Sequence, residues 1–282
     1  MTDNDNLLAK TNLAFIGCGV MAESIVAGLL RKKLVKAEQI KASHPRSERR
    51  AELESKYKIK VYEENDEAVK TLSNENSIVV LCVKPQRLKG ILSELHGVVA
   101  PDQLVISIIA GATIETISEA LENSRVVRTM PNTPSQIGQG MTAWTCSPDV
   151  TEEQKSQVKT LLTALGRELY VETENQIDMA TSLSATGPTY IFMMMEAMTD
   201  AGVHMGFSRE MSKELVQQTM LGSTLFAIES YKHPAELRNM VTSPGGTSAA
   251  AIYEMEKGSL RTVLSKAIYA AYRRAVELGS KK

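Results

Sequence analysis

The chain has 282 residues, of which 43% are hydrophobic and 23% charged, and its net charge is −1; this is the balance of a globular protein of about two domains. It excludes a global basic field for nucleic acid, a Lys/Arg run for a membrane surface and an apolar span of roughly 18 residues, and the acidic start Met1-Thr2-Asp3 is unlike a targeting peptide. Cys18, Cys82 and Cys146 are widely spaced, as for reduced thiols in a cytoplasm, and His44, His96, His204 and His233 lack metal-ligand spacing, so no metal site is expected.

Residues 1–172 alternate short apolar runs with charged, amphipathic stretches. The first run, Leu13-Ala14-Phe15-Ile16, ends at Gly17-Cys18-Gly19-Val20-Met21-Ala22, and a helical pattern then extends to Lys33. Strand, G-x-G-x-x-G/A loop and helix in that order form a dinucleotide-binding context. One Gly makes the tight turn, one lets the backbone approach the pyrophosphate, and a small residue packs the helix. Free N–H groups and the helix dipole then hold the phosphates; the plainer reading is a tight turn. Cys18 reads either as a small filler or as a thiol acidified by the helix N-terminus.

The end of the second strand distinguishes the two dinucleotides. An NAD enzyme places Asp or Glu there to take the ribose 2′-hydroxyl. Here the chain reads Ala42-Ser43-His44-Pro45-Arg46-Ser47-Glu48-Arg49-Arg50, with hydroxyls and guanidinium groups instead. Arg offers a charge-assisted grip on a 2′-phosphate, so NADPH is favoured and NADH is the weaker alternative. The competing reading is a solvated, basic first helical turn.

Helix-prone segments follow at Arg46–Lys56, Asn65–Leu72 and Gln86–Leu95, with β-branched runs at Ile78–Val83 and Leu104–Ile109. Apolar runs of that length suit parallel strands buried on both faces. The expected fold is therefore α/β, a doubly wound parallel sheet. Lys84, just past the run Ile78–Val83, fits a loop that positions a dinucleotide, or a solvated strand-end lysine.

After about Thr173 the strand signals stop. Gln176 to Leu278 is helix-prone, broken at Gly187-Pro188, Gly206, His233-Pro234, Pro244-Gly245-Gly246 and Gly258. Seven of the fourteen methionines lie between Met193 and Met220. The run Tyr190-Ile191-Phe192-Met193-Met194-Met195 is apolar on every face of a helix and calls for burial all round. A second subunit or the centre of a monomeric bundle could supply it. The domains expected are 1–172 and 173–282, the second all-helical. Ser243-Pro244-Gly245-Gly246-Thr247-Ser248, followed by Ala249-Ala250-Ala251, offers successive N–H groups at a helix N-terminus, as an anion receptor or an ordinary capped turn.

Several blocks along the whole chain resemble the pyrroline-5-carboxylate reductase family. They are Phe15-Ile16-Gly17-Cys18-Gly19-Val20-Met21-Ala22-Glu23-Ser24, Val83-Lys84-Pro85-Gln86, Met130-Pro131-Asn132-Thr133-Pro134 and Thr186-Gly187-Pro188-Thr189-Tyr190. The most specific is Val241-Thr242-Ser243-Pro244-Gly245-Gly246-Thr247, with His233-Pro234 before it and Glu254-Met255-Glu256-Lys257-Gly258 after it. The resemblance implies a Rossmann domain, a helical dimerisation domain, and homodimers able to assemble into larger rings. It implies NADPH-dependent reduction of 1-pyrroline-5-carboxylate to L-proline, the last step of proline biosynthesis, in an active site shared between subunits.

By matching motifs, the resemblance assigns the cofactor to Gly17, Cys18, Gly19, Val20, Met21, Ser43, Pro45, Asn65, Cys82, Val83, Lys84, Pro85, Ile109 and Ala110, and the readings of the glycine loop and second strand end add Ile16 and Arg46. It assigns the cyclic imino acid to Glu174, Thr247 and Ser248; the turn read above adds Ser243, Gly245 and Gly246, and Ser248 is the candidate catalytic group. On sequence alone Glu172 and Glu174 look alike, as exposed linker carboxylates. Three positions depart from the family pattern: Ser184-Ala185-Thr186 replaces Ser-Gly-Ser, Met240 replaces a polar residue, and Ser248 replaces Thr. The alternatives are a related NADPH-dependent imine or 2-hydroxy-acid reductase, and a dinucleotide-binding sensor without catalysis.

Overall fold

A computed structural model describes residues 6–72 and 76–280. Among them eight strands form one sheet: β1 (Asn12–Ile16), β2 (Ile40–Ser43), β3 (Lys60–Tyr62), β4 (Ser77–Leu81), β5 (Leu104–Ser107), β6 (Val126–Met130), β7 (Gly140–Cys146) and β8 (Gly166–Tyr170). Their order is β3-β2-β1-β4-β5-β6-β7-β8. β1 to β6 pair in parallel, β7 runs antiparallel to β6, and β8 is parallel to β7. The expected parallel doubly wound sheet is present, with an antiparallel step after β6.

The pleat explains why the central runs are apolar throughout. Leu13 and Phe15 of β1, with Ile78 and Val80 of β4, enter one core with α1 (Val20–Arg31), α2 (Ser47–Tyr57) and α6 (Glu152–Thr163). Ala14, Ile16, Val79 and Leu81 enter the other, against α3 (Asn65–Lys70), α4 (Leu88–Leu95) and α5 (Ile114–Leu121). Successive side chains point to opposite faces, so a strand covered on both favours apolar residues at consecutive positions. Thr113 caps α5 by accepting from Thr116 N–H at 3.1 Å. Thr151 and Gln154 form a reciprocal capping box on α6.

α7 (Glu174–Ala180) and a π-helical turn (Thr181–Ala185) close the first compact unit, residues 1–186 with 271–282. The second unit, residues 187–270, contains α8 (Gly187–His204), α9 (Arg209–Ser230), α10 (Pro234–Met240), α11 (Thr247–Lys257) and the first half of α12 (Leu260–Ser280). The glycine and proline breaks read from the sequence fall at the ends of these helices. Ser208 caps α9, and His233 caps α10 ahead of Pro234. No helix of the described residues is long and apolar enough to cross a membrane.

The helix that the sequence expects to be buried all round is not covered within one chain. On α8, Phe192 is 57% and Met193 64% exposed. Leu215, Leu221 and Phe226 of α9 are exposed as well. The central-helix reading fails on this geometry, because a bundle core would hide those side chains.

Candidate active site

β1 and β4 are neighbours at the point where strand order reverses, and Ile16 pairs with Leu81. Ligands of doubly wound sheets bind in the crevice at the carboxyl ends of such strands. Gly17 follows β1 with φ +81°, in the left-handed region that favours glycine. A Cβ there would stand 2.5 Å from Val83 Cγ1. Gly17 N–H donates to Ser43 Oγ at 3.1 Å, Cys18 N–H to the Ser43 carbonyl at 2.8 Å, and Gly19 N–H to the Gly17 carbonyl at 2.7 Å. The loop's own donors are thereby spent on its shape. The donors presented outward are those of the first turn of α1, at Val20, Met21 and Ala22, whose N-cap Gly19 carries no capping side chain.

The next two strand ends adjoin this loop. Cys82 N–H donates to the Ile16 carbonyl at 2.9 Å, and Ile108 N–H to the Leu81 carbonyl at 3.2 Å. Lys84 and Pro85 are exposed, Cys82 and Val83 half-buried, Ile109 buried and Ala110 half-buried. Cys18 is fully buried, and burial pushes its thiol up to about 12. That removes the reactive-thiol reading and leaves the small filler.

At the second strand, Ser43 is fully buried. Its hydroxyl accepts from Gly17 N–H and donates to Asn65 Oδ1 at 2.6 Å, so it braces the loop from behind. The three arginines beyond it have different fates. Arg49 is paired with Glu23 and Glu52, and Arg50 with Glu63 and the carbonyls of His44 and Pro45. Arg46 is exposed, and its guanidinium has no hydrogen-bond or ion-pair partner among the described residues. Burial, and then the neighbouring Arg46, Arg49 and Arg50 charges, hold His44 below its ordinary pKa. This cluster of positive charge favours an anion.

Glu174 and Glu172, alike in sequence, separate clearly in space. Oε1 of Glu174 accepts from Ile114 N–H at 2.9 Å and from Arg128 Nη1 at 3.1 Å. Arg128 is 1% exposed on β6 and donates its other arm to Asp178 at 2.6 Å. Glu172 is exposed, and among the described residues only its backbone N–H is engaged, by Gln176. Arg128 was not among the residues expected at the site. The available signal was a lone charge inside the apolar run Val126-Val127-Arg128-Thr129-Met130.

In the helical unit, Ser243-Pro244-Gly245-Gly246 forms a type II turn: Gly246 N–H donates to the Ser243 carbonyl at 3.0 Å and Gly245 has φ +72°. Gly246 is the N-cap of α11 and supplies no capping side chain. The N–H groups of Thr247, Ser248 and Ala249 therefore open toward the loop. Ser248 sits inside the first turn and does not cap the helix. Of the departures, Thr186 satisfies its hydroxyl on the Thr181 carbonyl at 2.9 Å, and Met240 is 56% exposed.

A left-handed glycine cradle, free helix-start donors and an unpaired arginine beyond the second strand fit a phosphorylated dinucleotide, and the fold defines a Rossmann-type NADP oxidoreductase. Residues 12–111 match the family described as NADP oxidoreductase, coenzyme F420-dependent, and residues 174–278 match pyrroline-5-carboxylate reductase dimerisation. The chain is 41% identical over 272 residues to the pyrroline-5-carboxylate reductase of Pseudomonas aeruginosa, covering 96% of this chain and 98% of the relative. It is 39% identical over 269 residues to that of Synechocystis, covering 95% and 98%. A solved Coxiella burnetii pyrroline-5-carboxylate reductase superposes with TM-score 0.86 at 34% identity, covering 96% and 99%. A Plasmodium falciparum pyrroline carboxylate reductase with NADP bound also gives 0.86, at 28% identity and the same coverage. The chain belongs to the pyrroline-5-carboxylate reductase family.

Proposed function

We infer that this chain reduces 1-pyrroline-5-carboxylate to L-proline with NADPH. The observation that carries this reading is one chain holding two helix starts with unspent N–H groups. One, at Val20–Ala22, follows the dinucleotide cradle; the other, at Thr247–Ala249, lies in the part that matches the family's dimerisation domain.

When bound, NADPH supplies a hydride to the imine carbon, and the ring nitrogen ends as a protonated amine. The chain's residues bind and orient. The first turn of α1 takes the pyrophosphate, Arg46 takes the 2′-phosphate, and Ser43 and Asn65 hold the loop. Val83, Lys84, Pro85, Ile109 and Ala110 line the strand ends beside the cofactor. The turn before α11 takes the substrate carboxylate on the N–H groups of Thr247 and Ser248, with Gly245 and Gly246 admitting its close approach. The Ser248 hydroxyl hydrogen-bonds the ring nitrogen. Glu174 keeps one oxygen on Arg128 and Ile114 and turns the other to the cationic ring.

We divide the functions as a cofactor domain, 1–172, and a helical dimerisation and substrate domain, 173–282. The exposed apolar faces of α8 and α9 support a homodimer, with each site completed by the partner subunit, and dimers able to close into rings. The three free cysteines suit a cytoplasmic setting. Turnover of the five-membered imino acid, compared with a six-membered imine and open-chain ketoacids, tests the substrate assignment. Preference for either competitor would overturn it.

A further inference from the structure

The dinucleotide loop is braced by a chain of side chains whose outer end is a residue with no evident link to it. Glu94, on α4, accepts from the Asn65 backbone N–H at 3.2 Å and from Asn65 Nδ2 at 3.0 Å. Asn65 Oδ1 accepts from the Ser43 hydroxyl at 2.6 Å, and that hydroxyl accepts from Gly17 N–H at 3.1 Å. The direction of every link is forced. An ionised carboxylate only accepts, so the Asn65 amide must turn its NH₂ to Glu94 and its oxygen to Ser43. Ser43 must then donate to that oxygen, which leaves its lone pairs for Gly17 N–H.

Two further features make Glu94 more than a surface carboxylate. The first residue of α3 is Asn65, and the N-cap before it, Glu64, supplies no side-chain bond. Glu94 meets that helix start from another helix, where negative charge is favoured. At the other end, Ser43 is fully buried and Gly17 sits at φ +81° against Val83, so a change in the chain reaches the loop that shapes the pyrophosphate site.

We propose that Glu94 is a positioning residue for dinucleotide binding, acting through Asn65 and Ser43 on Gly17. This rests on the assignment of the glycine loop to the cofactor. Because the chain ends on the Gly17 turn that shapes the pyrophosphate site, its loss weakens NADPH and NADH binding together.

The test is direct titration of the full-length protein with NADPH and with NADH, followed by fluorescence, with thermal melting alongside. Glu94→Ala should raise Kd for both dinucleotides by about tenfold. Asn65→Asp should do at least as much, since it sets two carboxylates against each other. Glu94→Gln keeps one accepting oxygen for the two Asn65 donors and loses the other, so it should raise Kd by about threefold while melting like wild type. Wild-type protein that binds neither dinucleotide sinks the cofactor assignment itself. Wild-type binding with a Glu94→Ala Kd within twofold overturns the role of Glu94 alone, as does a Glu94→Gln Kd no better than that of Glu94→Ala while both variants melt like wild type.

Discussion

Arg128 reaches Glu174 across 46 residues of sequence and donates to its carboxylate at 3.1 Å from an almost fully buried position. With Asp178 on its other arm, it ties α7 to β6 and fixes one oxygen of Glu174, the carboxylate proposed to face the substrate. Replacing one member of a buried pair leaves the others uncompensated, at a cost of about 3–5 kcal/mol. Arg128→Met should therefore lower unfolding stability by about that amount in a urea titration. Adding Glu174→Gln and Asp178→Asn should return part of it. A loss below about 1 kcal/mol in the single variant would show that the cluster is not held by this charge.

We propose that Arg46 decides the dinucleotide. Its neighbours Arg49 and Arg50 are paired within the protein, and the Arg46 guanidinium has no partner among the described residues. Losing a charged hydrogen bond costs roughly 1.5–3 kcal/mol, so Arg46→Ala should lower kcat/KM for NADPH by about tenfold or more while sparing NADH. Equal losses with both cofactors would remove Arg46 from the 2′-phosphate.

Much of this was legible in the sequence, and the limit has a physical form. The β1–loop–α1 unit is local: an apolar run, two glycines and a helical period identify it without tertiary information. The three arginines beyond β2 look equivalent, because the partners that distinguish them, Glu23 and Glu63, lie elsewhere in the chain. Arg128 was hidden for the same reason, since its two carboxylates sit on a helix that follows two further strands. The apolar faces of α8 called for cover, but periodicity does not say whose. The π-helical turn at Thr181–Ala185 left no pattern at all.

Glu23 links α1 to α2 through Arg49, through Lys56 at 2.8 Å and through the Tyr57 hydroxyl at 2.7 Å. Burial alone would raise its pKa, but the hydrogen bonds from Lys56, Tyr57 and Arg49 outweigh it and lower the group from 4.5 to about 2. A depressed folded-state pKa means stability that is present above the unfolded value and lost as pH falls through the folded one. Thermal melting should therefore lose stability between about pH 4.5 and 2, and Glu23→Gln should flatten that slope. An unchanged slope in the variant would place the acid sensitivity elsewhere.

Ser248 lies in the first turn of α11, behind the Gly246 cap, so its hydroxyl is not needed to start the helix. Positioned proton-transfer groups contribute roughly 100- to 10,000-fold, and an orienting hydrogen bond less. Ser248→Ala should keep NADPH affinity and melting temperature but lower kcat at least about tenfold, and Ser248→Thr should stay active. An alanine variant with undiminished kcat would leave proton delivery to water or another side chain.

Hydride transfer from NADPH to a five-membered cyclic imine is measured by following NADPH absorbance with 1-pyrroline-5-carboxylate as the sole acceptor and quantifying the L-proline formed. NADPH consumption should saturate, with one proline produced per NADPH oxidised and much weaker turnover with NADH. Protein that binds NADPH yet forms no proline above the enzyme-free rate would contradict the proposed function.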